Sequence, residues 1–573
     1  MLGTTTDAES YRRAAKDSWS TFIRARFDAG PAGRSGRIAR IPQLEAELEL
    51  MHEFLAVAKQ HVNACSSAAC SLPTEVLAII FAFAQESWRP KRIKTKKMHD
   101  LGWIHATHVC ADWRNAALGT HTLWQKVDCI ALPASMATEI LTRSGRLPLQ
   151  LYARTAYNTK VADLVETWLS GPALRRASLL HIDDNYHYAP GHDIKIWLQT
   201  LNQPMPFLQD LAITLMLEDE PEPLPEGFLK NTQPALTRLY LRNCHLPNWT
   251  SAILGHTVTE MSLHTDWMYG ESGSYPTVTE LRAIFSRLTS LRLLSLKDFY
   301  PKSEANTIEP FTFYTSLESF TFHFSLPGVY ESHYHAFWAV FRVPATTSFK
   351  LWAYADGEFD ADVEGFVDPI TRIDNATLPA KELVIDDLNL TLWYTGTSSV
   401  PLSPPFDRLD VEHSRSAITR TICSTNSAPR YHVPVLPLES LSSISVTQDA
   451  MLRFNKPEPD GGWLSKLGAA REVRRISVYY PHCQLLLDDL LSRDTYDKFL
   501  LFPLLDTIVF HYELWPNEKT RQTRLGLVLL ELLANRYEHG APIRELLVDC
   551  RMEGWFIWSK VDREKTKLTF FTP

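Results

Sequence analysis

Hydrophobic and polar residues alternate along this chain with two periods. Near the start, Ile41, Leu44, Leu48, Met51, Leu55, Ala58 and Val62 lie three and four residues apart, which puts one apolar stripe along a helix from about Ile41 to Val62. Such a stripe suits either a dimerising coiled coil or packing on the chain's own next domain. About three heptads is the lower limit for the first, so the second is the expectation. Next comes a short amphipathic helix, with Ser71 as its N-cap, Leu72 and Pro73 at its start, Glu75 in its first turn and Val76, Leu77, Ile80 and Phe81 as its apolar face. A second helical face follows in Val109, Trp113, Ala116 and Ala117, closed by Leu123 and Trp124.

From about Leu147 onward the period changes. A triplet of the form apolar-x-x-apolar-x-apolar recurs, its last two residues pointing to one side of a strand. Leu236/Leu239/Leu241 followed by Cys244 is a full match to the leucine-rich pattern, with Cys at its turn position. The other copies are Val258/Met261/Leu263, Leu291/Leu294/Leu296, Leu317/Phe320/Phe322, Ala380/Leu383/Ile385, Phe406/Leu409/Val411, Leu441/Ile444/Val446, Val473/Ile476/Val478, Leu505/Ile508/Phe510 and Ile543/Leu546/Val548. Their spacing drifts from about 22 to 38 residues, against about 20 to 29 for regular leucine-rich repeats. Helical stretches precede several of them, such as ELRAIFSRLTS before Leu291 and LGLVLLELLANRYEHG before Ile543. Helix alternating with strand at this period implies parallel strands joined by right-handed crossovers, and a curved solenoid if the strands stack in chain order. The aromatic C-terminus, WFIWSKVDREKTKLTFFTP, suits a terminal strand or cap.

With 573 residues, 45% hydrophobic and 22% charged, the chain can bury a large core. A formal charge of -8 argues against a broad phosphate-binding face, so nucleic acid is not an expected partner. The N-terminus lacks the apolar core of a secretory signal and no stretch is long and apolar enough for a membrane span. The expected location is cytoplasmic, nuclear or both, with no membrane partner. Eight cysteines (Cys65, Cys70, Cys110, Cys129, Cys244, Cys423, Cys483 and Cys550) show no C-x-x-C pair, so reduced thiols are expected. The sequons at Asn248, Asn375 and Asn389 are expected to stay bare.

The order Leu-Pro-x-Glu-Val-Leu-x-x-Ile-Phe from Leu72, then Val-Cys-x-x-Trp-Arg from Val109, then Leu-Trp at Leu123 resembles the F-box in the form common among mushroom-forming fungi. An insertion, Glu86 to Asp100, separates the halves by more than in a typical animal F-box. The resemblance implies a helical module that binds the adaptor subunit of a cullin-type ubiquitin ligase. The family's contact positions fall on Leu72, Pro73, Glu75, Val76, Leu77, Ile80, Phe81, Val109, Cys110, Trp113 and Trp124. It implies an α/β chain: a poorly ordered tail over 1–37, a coiled-coil-like helix over 38–66, the F-box-like helical module over 67–130, and a right-handed α/β solenoid of irregular leucine-rich repeats over 140–573. The implied partners are the ligase adaptor subunit, its cullin scaffold and a client protein. The alternative is a scaffold or regulatory binding protein that is not assembled into a ligase.

Other chemistry finds less support. Lys91, Arg92, Lys94, Lys96 and Lys97 form a basic run that reads as a solvated loop rather than a nuclear-localisation signal. His181, Asp183, Asp184, His187, His192 and Asp193 carry metal-ligating groups, but their spacing fits no helix-borne ligand pair and reads as a surface turn; His333 and His335 are weaker still. GESGS at Gly270 is not the symmetric nucleophile elbow, and neither a phosphate loop nor a dinucleotide fingerprint is present. No cofactor, metal or catalytic residue is expected, and the chain is not expected to be an enzyme.

Overall fold

In a computed structural model the described residues are 4–28, 30, 33–93, 98–155, 167–184, 198–215, 222–226, 228, 236–246, 249, 254–265, 275–299, 301–302, 309–326, 331–355, 379–394, 418–424, 433, 436–454, 462–513 and 518–572. They divide into two units, Met1–Leu147 and Pro148–Pro573.

The first unit is helical. Helices α1 (Thr4–Ile23), α2 (Arg34–Ala39) and α3 (Ile41–Ser66) precede α4 (Thr74–Ser87), α5 (Ala111–Gly119) and α6 (Ala137–Arg143). Two expectations are corrected here. The first 37 residues, read as a poorly ordered tail, carry α1 and α2, because Ala, Arg, Lys and Glu outnumber helix breakers between Thr4 and Ile23. The stripe of α3 is only partly covered: Ile41, Leu48, Leu55 and Val62 are 46% to 64% exposed, while Leu44 and Met51 are half-buried. Lys91, read as part of a loop, belongs to a short hairpin in which Lys91–Ile93 pairs antiparallel with Met98–Asp100; Lys94, Lys96 and Lys97 lie outside the described residues.

The second unit is built on one large, mostly parallel sheet. Its first eight strands are β1 (Leu149–Thr155), β2 (Ala177–Asp184), β3 (Asp210–Leu215), β4 (Arg238–Arg242), β5 (Glu260–His264), β6 (Leu293–Lys297), β7 (Ser319–Leu326) and β8 (Ser348–Ala355), each pairing in parallel with the next. After β8 the chain order breaks. Strands β9 (Glu382–Ile385), β10 (Asn389–Trp393) and β11 (Thr419–Ser424) enter the sheet in reverse, so that β8 pairs with β11, β11 with β10, β10 with β9 and β9 with β12 (Ser443–Val446). Only β10 runs antiparallel to its neighbours here. Sequence order then resumes through β13 (Arg475–Tyr479), β14 (Thr507–His511), β15 (Glu545–Asp549) and β16 (Lys567–Phe571).

Register explains the apolar triplets. Leu239, Met261, Leu294, Phe320 and Phe349 sit side by side across five strands, and Leu241, Leu263, Leu296, Phe322 and Leu351 form the next row. Both rows are buried. The triplet expected at Phe406/Leu409/Val411 lies outside the described residues; every other expected triplet is fully buried. Helices α7 (Val278–Arg287), α8 (Glu331–Val340), α9 (Gln484–Leu491) and α10 (Glu518–Glu538) cross between strands. The start of α7 is set by a capping box, Thr277 accepting from the Glu280 amide while Glu280 accepts from that of Thr277, and its Val278, Leu281, Ile284 and Phe285 are buried. Where α8 crosses, the core turns aromatic, with Phe337 5.1 Å from Phe322 and 4.6 Å from Phe341 between ring centroids.

Beyond the strand ends the chain turns sharply. Asn243 and Asp298 follow β4 and β6 at the same position with φ of 56° and 48°, a left-handed conformation that Asn and Asp tolerate better than most residues. The Asn243 amide side chain donates to the Leu215 carbonyl at 2.7 Å, closing the end of β3. Next to it, the buried Cys244 Sγ reaches the Ile213 carbonyl at 3.8 Å, and burial pushes its thiol well above the usual range. Cys65, Cys110, Cys129, Cys244, Cys423, Cys483 and Cys550 are unbridged.

One buried cation ties α10 to the last turn of α9 and to the loop before β14. The Arg536 guanidinium donates to the carbonyls of Leu490, Leu501 and Phe502 and lies 4.5 Å from the Phe499 ring centroid. Burial lowers its pKa to about 10, so it stays charged at neutral pH. Arg536→Met keeps most of the volume but strands three buried carbonyls. We expect a loss of ~2–4 kcal/mol, read as a lower urea midpoint with an unchanged far-ultraviolet dichroism spectrum before unfolding.

Candidate partner-docking surfaces

Helix α4 starts at Thr74, with Pro73 rather than Ser71 at the N-cap position and no side-chain cap. Ser71 instead ends a 3-10 turn over Ala68–Ser71. The fixed φ of proline, here -56°, suits a helix entry, and Glu75 in the first turn complements the helix dipole.

The helix is apolar on two faces. Leu77 and Phe81 point into the unit's core, where Phe81 meets the Trp113 ring edge-on at 5.3 Å and Trp103 meets Trp124 at 5.1 Å. Two of these three indoles are tied down: Trp124 Nε1 donates to the Ala117 carbonyl at 2.8 Å and Trp113 Nε1 to the Ala69 carbonyl at 3.2 Å. Cys110 is the N-cap of α5, its sulfur accepting from the Trp113 amide. On the other face Val76, Ile79, Ile80 and Phe83, related by helical steps of three (76/79, 80/83) and four (76/80, 79/83), are 39% to 74% exposed. A helix apolar all round is normally enclosed. This one is covered on one side only.

The residues expected to contact the adaptor therefore separate into three groups. Leu77, Phe81, Cys110 and Trp124 are buried and hold the module together. Leu72 and Trp113 are half-buried. Pro73, Glu75, Val76, Ile80 and Val109 are exposed and accessible to a partner. Ile79 and Phe83 were missed, although they continue the helical spacing of Val76 and Ile80 and were legible from it. At the C-terminal end of α4, Glu86 accepts from Lys126 at 2.6 Å, which with Arg89 holds its carboxyl below the usual range.

The second unit offers a different surface. Residues that alternate with the buried rows form half-buried polar rows across the sheet: Tyr240, Ser262, Ser295, Thr321 and Lys350 in one, and Arg242, His264, Lys297, His323 and Trp352 in the next. The Tyr240 hydroxyl lies 3.3 Å from His264 Nδ1, and His264 Nε2 lies 3.0 Å from Ser295 Oγ. His323 stacks flat on Trp352 with centroids 5.4 Å apart, and Lys350 Nζ sits 4.9 Å from the same indole. Rigid aromatics set among hydrogen-bonding groups are what protein recognition uses.

His181 and Asp183 belong to strand β2, not to the surface turn expected for them. His181 Nε2 pairs with Asp210 at 3.1 Å; His187, His192 and Asp193 lie outside the described residues. Ser477 Oγ and His511 Nε2 approach to 2.7 Å, but both side chains are buried, which keeps the hydroxyl from a substrate in solution. Compared with known proteins, the chain matches no family model and no curated sequence.

The row carries its own pH dependence. Burial, followed by the charges of His264, Lys297 and Lys350, lowers the His323 pKa from 6.5 to about 4. Between those values the unfolded chain binds a proton that the folded chain refuses. This contribution to stability is thus whole above about pH 6.5 and is lost as pH falls towards 4. Thermal midpoints followed from pH 7 to 4.5 are expected to fall less for His323→Gln than for the wild type; parallel curves would contradict the shift.

Proposed function

We propose that this chain is the substrate-recognition adaptor of an F-box-type ubiquitin ligase. The F-box-like module over 67–130 docks on the ligase adaptor subunit and thereby on its cullin. The second unit, read as a right-handed solenoid of irregular leucine-rich repeats, holds a client protein. The observation that carries the reading is α4, whose Leu77 and Phe81 build the local core while Val76, Ile79, Ile80 and Phe83 stand exposed. The motif order from Leu72 to Trp124 supports it from the sequence side, and the parallel register of buried triplets supports the repeat reading. The chain then needs no chemistry of its own. It raises the effective concentration of a client lysine near a charged ubiquitin carrier held by other subunits, in the cytosol or nucleus.

Exposure selects the residues for the test. Ile80→Glu and Val109→Glu alter surface side chains, so the folded state should persist, whereas Leu72 and Trp113 also support the core. Each anchor of an interface is worth about 2 kcal/mol, or roughly 30-fold in affinity. Co-purification with a co-expressed ligase adaptor is expected for the wild type and lost for the folded double variant. Undiminished capture by that variant would sink the reading. Affinity purification with mass spectrometry, with and without an inhibitor of degradation, would then identify clients as proteins enriched when degradation is blocked.

A further inference from the structure

Helix α3 is the longest helix of the first unit, and its apolar pattern has a period of its own. With Ile41 at heptad position a, the a residues are Ile41, Leu48, Leu55 and Val62, and the d residues are Leu44, Met51, Ala58 and Cys65. The repeat is seven throughout, without a skip. A stripe laid on a globular core follows the 3.6-residue turn and widens into a third position, whereas a strict 3.5 period keeps one narrow seam facing another helix. The a residues of that seam are exposed, while Leu44 and Met51 of the d row are half-buried. Gln60, which donates to Asp112 of α5 at 2.6 Å, stands at position f, on the side away from a and d.

We propose that α3 pairs with α3 of a second copy of this chain, antiparallel, about a two-fold axis near residue 53. Packing and charge both select this orientation. The d residues shrink along the helix from Leu44 and Met51 to Ala58 and Cys65, while the a residues stay large. A parallel pair in register would stack small on small at its C-terminal end. The antiparallel pair sets Leu48 against Ala58 and Ile41 against Cys65 of the other copy, so these outer layers join a large side chain to a smaller one, while Met51 meets Leu55 near the axis. The flanking charges agree. The first half of α3 carries Glu45, Glu47 and Glu49 and the second half Lys59 and His61. Antiparallel pairing brings Glu45 to Lys59 twice, by symmetry, while Phe54 meets its own counterpart near the axis; Glu47 is already paired with Arg26 of its own chain at 3.1 Å. Such a seam is short, so the dimer is concentration-dependent. The inference does not rest on the ligase reading, since it uses neither α4 nor the sheet.

Sedimentation equilibrium of the full chain from ~1 to ~200 μM is expected to show the average mass rising from one chain towards two. Leu48→Glu with Leu55→Glu places charge in the seam and is expected to weaken dimerisation at least ~10-fold. Leu50→Glu with Val57→Glu, at exposed c positions of the same helix, is expected to leave it unchanged, with equal helicity in both double variants. Glu45→Lys and Lys59→Glu are each expected to weaken the pair, and their combination to restore it. A monomer at every concentration would overturn the inference, as would equal loss in the a and c variants. Failure of the combined charge reversal to restore dimerisation would overturn the antiparallel orientation.

Discussion

An apolar side chain on one side of a parallel strand leaves water in two ways: against the equivalent position of the next strand, and beneath the segment that carries the chain across. The second unit depends on both at once. Its buried rows run unbroken through Leu239, Met261, Leu294, Phe320 and Phe349, and a one-residue slip anywhere would turn a row outward. The crossover is much less constrained. A capped helix of 10 residues serves at Val278–Arg287 between β5 and β6, whereas a helix of 21 residues serves at Glu518–Glu538 between β14 and β15. This is why the repeat spacing drifts while the triplet does not.

That division also explains what could be read from the sequence. Strands β4 to β7 and β12 to β15 were legible because each spends three apolar residues at fixed offsets. Strand β3 has the same spacing in Leu208, Leu211 and Ile213, all buried, yet was passed over among weaker neighbours. Strands β10 and β11 were not legible. Their order in the sheet reverses the order in the chain, and strand order is decided by contacts between distant residues that no local period records. Residues 382–385, which the Ala380/Leu383/Ile385 triplet did mark, carry more burial than the triplet alone records. All four are buried, and Glu382 accepts from Ser445 on the neighbouring strand, so this strand does not alternate in the way period-two reasoning requires.

In the first unit the same reasoning succeeded on position and failed on direction. The residue types of α4 identify an amphipathic helix with Val76, Leu77, Ile80 and Phe81 on its apolar side. In the structure Leu77 and Phe81 turn inward while Val76 and Ile80 join Ile79 and Phe83 outside. A motif states which side chains matter; only packing states which of them are scaffold and which are surface. The indoles belong to the scaffold, since Trp124 and Trp113 each have a backbone carbonyl to satisfy the ring nitrogen, as an enclosed indole requires.

The two units dispose of apolar area in opposite ways. In Pro148–Pro573 the described triplets are covered from within the chain, and the half-buried rows across β4 to β8 are polar or aromatic with polar neighbours. In Met1–Leu147, α3 and α4 each keep a regular apolar face outside. Regularity is the informative part. Scattered exposed apolar residues are ordinary on any protein surface, but four at helical spacing on α4 and a seven-residue repeat on α3 are patterns that water alone gives no reason to maintain. Covering either face would remove several large side chains from water at about 1.5–3 kcal/mol for each one fully buried, a gain available only from a partner. The asymmetry is one of burial: the helical unit keeps regular apolar faces outside, whereas the buried rows of the sheet are covered from within the chain.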